Sequence, residues 1–406
     1  MTERVVVLDN GLTIAVDPMA TTRAVSVGVW VGVGSRDEAP LLAGSSHFLE
    51  HLLFKGTAAR SARDISLAVD RCGGDINAYT SREHTAFFCR LPARDATTAI
   101  QLLGEVIHRP ALRDADVESE RDVILEELAM DDDVPDDVVH RMFGEQMFHD
   151  HSLGRDPGGT AETVRALTST NIRDFHAEHY TAERIVVAIA GGVDADEMIG
   201  DVERAFGSLR HGDGAPTRSA PGGMGSDLRW QDHTEQVHLV VGGRSLERDH
   251  QDREALDIVN HALGGGLSSR LFDEIRERRG LVYSVFSGIS TFSDAGSWSV
   301  YAAAQPHRSD EVERRIAGEV DRMASGGPTE EELAVARGYL IGAYELGLED
   351  SGARMSRLGG MLSTIGTVRS IDEQIERWNR VTLDDAARVA HDIFGGPRLT
   401  VALGPN

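Results

Sequence analysis

Lysine is almost missing from this chain of 406 residues. Lys55 is the only one, so arginine supplies the other 40 of the 41 basic side chains, against 66 acidic ones, for a formal net charge of -25. That balance argues against a nucleic-acid binder and for attraction to cationic partners such as basic peptides, with solubility an equally good reading of the same charge. Cysteine is nearly absent too. Two thiols, Cys72 and Cys89, exclude a disulfide scaffold or a metal site built mainly from sulfur, and they suit a reducing, cytoplasmic compartment. No run of some twenty apolar residues occurs and the chain enters strand-like sequence directly after Met1-Thr2-Glu3-Arg4, so neither a membrane helix nor a signal peptide is expected.

What is present is one stretch where helix signals and metal chemistry coincide, Ser45-Ser46-His47-Phe48-Leu49-Glu50-His51-Leu52-Leu53-Phe54-Lys55-Gly56. Either serine can cap a helix, and Lys55-Gly56 suits its end. On that helix His47 and His51 stand one turn apart with Glu50 beside them, while Leu49, Leu52 and Leu53 form the anchoring face. Two neutral imidazoles suit zinc, and a carboxylate that binds no metal can act as general base. His-x-x-Glu-His is the inverzincin order. A third ligand is sought downstream. The helix predicted from Asp114 to Met130 carries Glu120 and Glu127 two turns apart on one face, with Val117, Ile124 and Leu128 as its apolar stripe. Glu127 lies close to that stripe and Glu126 points away from it.

Ala24–Val33 alternates as a strand, and Asp75–Ser81 followed by Glu83–Leu91 reads as two more. Arg210–Asp227 is rich in Gly, Pro, Ser and Thr and reads as a linker. Beyond it the order of elements repeats: Gln236–Val241 answers Ala24–Val33, Tyr283–Thr291 and Ser297–Ala303 answer the strands after Gly74, and Leu399–Leu403 answers Ile185–Ala190. Glu254–Leu263 stands where the histidine helix stood but offers only His261. The expectation is a duplicated α+β protein in which 1–210 forms the metal-binding half, 211–227 the linker and 228–406 a half without the ligands.

These words together resemble the pitrilysin/insulinase family of zinc metallopeptidases, in particular units similar to the β-subunit of mitochondrial processing peptidase. The resemblance runs through His47–His51, Glu120–Glu127, Gly73-Gly74 with Asn77-Ala78-Tyr79-Thr80-Ser81, and Arg276–Tyr283. It implies two α/β-sandwich halves closing as a clamshell and one Zn²⁺ per chain held by His47, His51 and Glu127. Glu50 is implied as general base, Glu120 as support for the ligands, and Asn77, Ala78, Tyr79 and Thr80 as the edge strand that pairs with an extended peptide. Arg276 and Tyr283 are implied to reach the substrate. The glycine-rich loop Gly264–Arg270 is shorter than in the non-catalytic α-type subunits, which favours the catalytic type. A homodimer, or pairing with a homologous subunit, is expected by the same analogy; the rival expectation is a non-catalytic structural subunit of this fold.

Overall fold

The computed structural model describes residues 3–405. Its chain builds two sheets. In the first the strands β1 (Arg4–Val7), β2 (Thr13–Pro18), β3 (Ala24–Val31), β4 (Asp75–Thr80), β5 (Thr85–Pro92) and β6 (Ile185–Gly191) lie in the order β1-β2-β6-β3-β5-β4. Only β2 and β6 run parallel; the other neighbours are antiparallel. In the second, β7 (Leu228–Gln231), β8 (Val237–Ser245), β9 (Val282–Thr291), β10 (Gly296–Ala304) and β11 (Arg398–Gly404) lie in the order β7-β11-β8-β10-β9, with only β7 and β11 parallel. The second sheet thus reproduces five strands of the first in order and sense, β7 standing for β2 and β9 for the edge strand β4. The duplication read from the sequence is therefore present as topology, and the architecture is α+β.

The strands are steep in Val, Ile and Ala because both faces of each sheet are covered. In the first sheet Val25, Val27 and Val29 point to a core shared with Phe48, Leu49, Leu52 and Leu53 of the Ser45–Leu53 helix. Its other face, carrying Ala15, Trp30, Val186 and Ala188, packs on Met355 and Leu358 of the Ser351–Thr364 helix. In the second sheet Val240, Tyr301, Val401 and Leu403 pack on Val139, Phe143 and Met147 of the Pro135–Met147 helix.

Each covering helix comes from across the linear division expected at 211–227, so the compact units are not sequence halves. One unit holds everything described up to Ala129, with Arg155–Arg218 and Gly347–Val368; the other holds Met130–Gly154, Ser219–Leu346 and the chain from Arg369 on. The physical reason is the sheets' second faces, which are too apolar to leave in water. Nor is the 211–227 stretch a free linker over its first part. His211 and the Gly212 amide bond the Glu183 carboxylate at 2.9 and 2.6 Å, and Arg218 holds Asp37 through two hydrogen bonds of 2.8 and 2.9 Å.

Trp30 shows how tightly the Ser351–Thr364 helix seats. It is 1% exposed, and a Cβ on Gly359 would lie 2.1 Å from its ring atoms. The fit demands glycine, so Gly359→Ala should destabilise by about 1–3 kcal/mol through overpacking, measured by denaturant unfolding. An unchanged midpoint would show that the helix can retreat without loss.

Candidate metal centre

The Ser45–Leu53 helix forms on the expected residues but is capped differently. Its N-cap is Gly44, held at φ +94, and neither serine caps it. A glycine is required there, because a Cβ would meet the Gly158 carbonyl oxygen at 2.7 Å. The orphan amides of the first turn go to a remote carboxylate instead: Gly44 N–H donates to Glu38 Oε2 at 2.8 Å and Ser46 N–H to Oε1 at 2.7 Å. Glu38 is 5% exposed, and burial pushes its carboxyl up to about 7 against the pull of these amides. Glu38 was not legible as a cap, since two serines stood where a cap normally stands. Glu38→Gln, which can accept at only one end, should lower stability by about 1–3 kcal/mol; an unfolding midpoint equal to that of the unaltered chain would remove Glu38 from the account of the helix.

The helix presents its two imidazoles to each other with Nε2 atoms 3.2 Å apart. The Asp114–Asp132 helix brings Glu127 to them: Oε1 is 3.7 Å from His47 Nε2 and Oε2 3.4 Å from His51 Nε2. Among the described residues these three are the one group of His, Cys, Asp or Glu side chains able to converge on an ion, their ligand atoms all within 4.8 Å of one another. Ligand bonds of about 2.0–2.1 Å in a tetrahedral site place neighbouring donors about 3.3 Å apart, so the observed separations suit zinc. Protonation suits it too. Burial, with the charge of His51 second, pulls His47 down to about 4, so the ring is neutral near pH 7. His51 Nδ1 donates to Glu120 Oε1 at 2.9 Å, which leaves its Nε2 lone pair turned toward His47 and Glu127.

Glu120 is 4% exposed on the same helix face as Glu127, and its second oxygen forms an ion pair with Lys55. The chain's single lysine therefore sits one turn beyond His51 and balances the carboxylate that fixes the His51 ring. The spacing 47, 51, 55 is the signal of this placement in the sequence, with Lys55 just past the helix end at Leu53. Glu126 is exposed, in keeping with its direction away from the stripe.

Glu50 is partly buried beside the triad. Burial raises its carboxyl, opposed by a 2.5 Å hydrogen bond from Thr80 Oγ1 to its Oε2 and by the neighbouring His51. Thr80 ends β4, the outer strand of the first sheet, which pairs with β5 alone. Asn77 and Tyr79 are exposed along β4, while Ala78 and Thr80 are half-buried. His84 bonds Tyr79 Oη through Nε2 at 3.2 Å and Ser81 Oγ through Nδ1 at 3.1 Å. Arg276 and Tyr283 belong to the other unit. There the Arg276 guanidinium lies 5.2 Å from the centre of the Tyr283 ring, and Tyr283 is 84% exposed at the start of β9. In that unit His261 is buried and stacks on Tyr339 with ring centres 4.2 Å apart.

One sheet carries the helix with the two convergent histidines and the other carries its counterpart without them, so the design is a duplicated one with a single candidate metal centre among the described residues. The chain belongs to the pitrilysin/insulinase family: residues 13–161 match the model of the insulinase peptidases, family M16, and residues 166–340 match that of the M16 inactive domain. An uncharacterized zinc protease of Mycobacterium leprae is 44% identical over 404 residues, covering 98% of this chain and 91% of that one. The uncharacterized zinc protease YmxG of Bacillus subtilis is 34% identical over 385 residues, 95% and 94% of the two chains. Among solved structures, a protease from Helicobacter pylori shares the fold with a TM-score of 0.93 at 24% identity over the whole of both chains.

Proposed function

We propose that the protein is a zinc-dependent endopeptidase acting on extended or unfolded peptides, in the manner of a processing peptidase. The observation that carries this reading is the convergence of His47, His51 and Glu127 within 4.8 Å with Glu50 on the same helix as both histidines. His47, His51 and Glu127 hold one zinc ion per chain, which supplies a Lewis acid for the scissile carbonyl. Glu50 takes the proton of the attacking water and returns it to the departing amine. Glu120, through His51 Nδ1, fixes the ring's tautomer and orientation. Asn77 to Thr80 pair with the substrate main chain, which suits an unpaired sheet edge and requires a segment of peptide that is not already folded. By the family resemblance Tyr283 is proposed as a donor to the oxygen that gains charge, and Arg276 as a residue that reaches the substrate with it. Basic peptides are favoured by the charge of -25.

Among the described residues no helix is long and apolar enough to cross a membrane. Partnership as a homodimer or with a homologous subunit rests on analogy and is read by size-exclusion chromatography with activity followed in the same fractions. The reading as a whole is tested by digesting an unbiased peptide library with and without a chelator. Cleavage that stops on chelation and returns with zinc is the expected result. Failure to cleave in the presence of zinc would favour the non-catalytic subunit instead.

A further inference from the structure

The edge strand and Glu50 are joined by a single hydrogen bond, and its direction is fixed. An ionised carboxylate only accepts, so Thr80 Oγ1 must donate to Glu50 Oε2, and 2.5 Å is the length of a charge-assisted contact. Glu50 is thereby held at one oxygen, with Oε1 left to receive a proton. The threonine is itself held. Thr80 pairs with Thr85 across the last position of the β4–β5 ladder, and the next amide, Ser81 N–H, donates to the His84 carbonyl at 2.8 Å. Ser81 Oγ also donates to that carbonyl at 2.7 Å. β4 has no strand on its other side, so this is also the edge on which a peptide would lie.

We infer that Thr80 is a positioning residue for Glu50: the threonine that ends the substrate-pairing edge orients the general base, so that seating a peptide on β4 and aiming the carboxylate are one event. This deepens the peptidase reading and rests on it. It differs from the main-chain role given to Asn77 to Thr80, because it assigns a task to one side-chain hydroxyl that faces the base rather than the peptide. A carboxylate released from such a tether spends most of its time in rotamers that do not face the water, and a small misplacement of a catalytic group lowers the rate steeply.

The test compares Thr80→Val, Thr80→Ala and Thr80→Ser on one internally quenched fluorogenic decapeptide that the unaltered protein cleaves. Valine keeps the shape of threonine and its preference for strands while removing the donor; serine keeps the donor. The expected result is a fall of about 10- to 100-fold in kcat for Val and Ala, with KM within about twofold, zinc content unchanged, and Ser restoring kcat to within about threefold. A Val variant with the kcat of the unaltered protein overturns the inference. So does a loss confined to KM, which would make Thr80 a binding residue only, or a Ser variant as impaired as Val, which would make it a structural one. Should the Val variant fail to fold, the Ala and Ser pair decides by the same criteria. An unaltered protein that cleaves no decapeptide overturns the peptidase reading and this inference together, whereas an active parent with an unaffected Val variant overturns the inference alone.

Discussion

Glu50→Gln will carry zinc at the stoichiometry of the unaltered chain and cleave no peptide. Glutamine has the same length and can still receive the hydrogen bond from Thr80 on its carbonyl oxygen, so the helix and the triad keep their geometry. What is lost is the ability to take a proton. General-base assistance contributes about 10² to 10⁴ in rate, and here the same group must also return the proton to the amine, so the loss should be at least about 10³-fold. The measurement is peptide turnover beside metal analysis of the same sample. Residual turnover near that of the parent would remove Glu50 from the mechanism. Loss of zinc would show that the carboxylate belongs to the ion's own ligands.

The second large effect concerns the ligand that comes from outside the histidine helix. Glu127→Gln should lower zinc affinity by more than about 100-fold, beyond what residues that merely orient ligands contribute, and the purified protein should lose its ion to a mild chelator. Glu126→Gln, one residue away and exposed, should keep it. Metal content after dialysis reads both. The reverse pattern would shift the ligand by one position, a rotation of about a quarter-turn and more of the helix that the burial of Val117, Glu120 and Ile124 opposes.

Much of this arrangement was written in local spacing. His47 and His51 at i and i+4, and Glu120 and Glu127 seven apart, are statements about one helix each, and helical geometry alone puts each pair on one face. The duplication was legible because the order of elements repeats along the chain; the strand order within each sheet was not, since strands such as Ile185–Gly191 are apolar on both faces and carry no alternation to place them. What was hidden depends on contacts far apart in sequence. Glu38 caps a helix whose start looked already capped, and nothing in a carboxylate nine residues upstream of His47 announces that it will reach two backbone amides. The attachment of the Ser351–Thr364 helix to the first sheet was hidden for a similar reason. Met355, Leu358 and Gly359 make an apolar stripe with nothing in it to name its sheet. What seats it is remote in sequence: the bulk of Trp30 opposite Gly359, the hydrogen bond of Ser351 to Ser26, and the ion pairs of Arg354 with Asp17 and Arg357 with Glu3. The pairing of Lys55 with Glu120 lies between these extremes: its helical spacing was visible, its partner on another helix was not.

The account turns on where an ion sits. Crystals of the zinc-loaded protein measured on either side of the zinc absorption edge should give one anomalous peak per chain, within bonding distance of His47 Nε2, His51 Nε2 and a Glu127 oxygen. Density for zinc at some other group of side chains, or none between those three in a protein that still cleaves peptides, would contradict it.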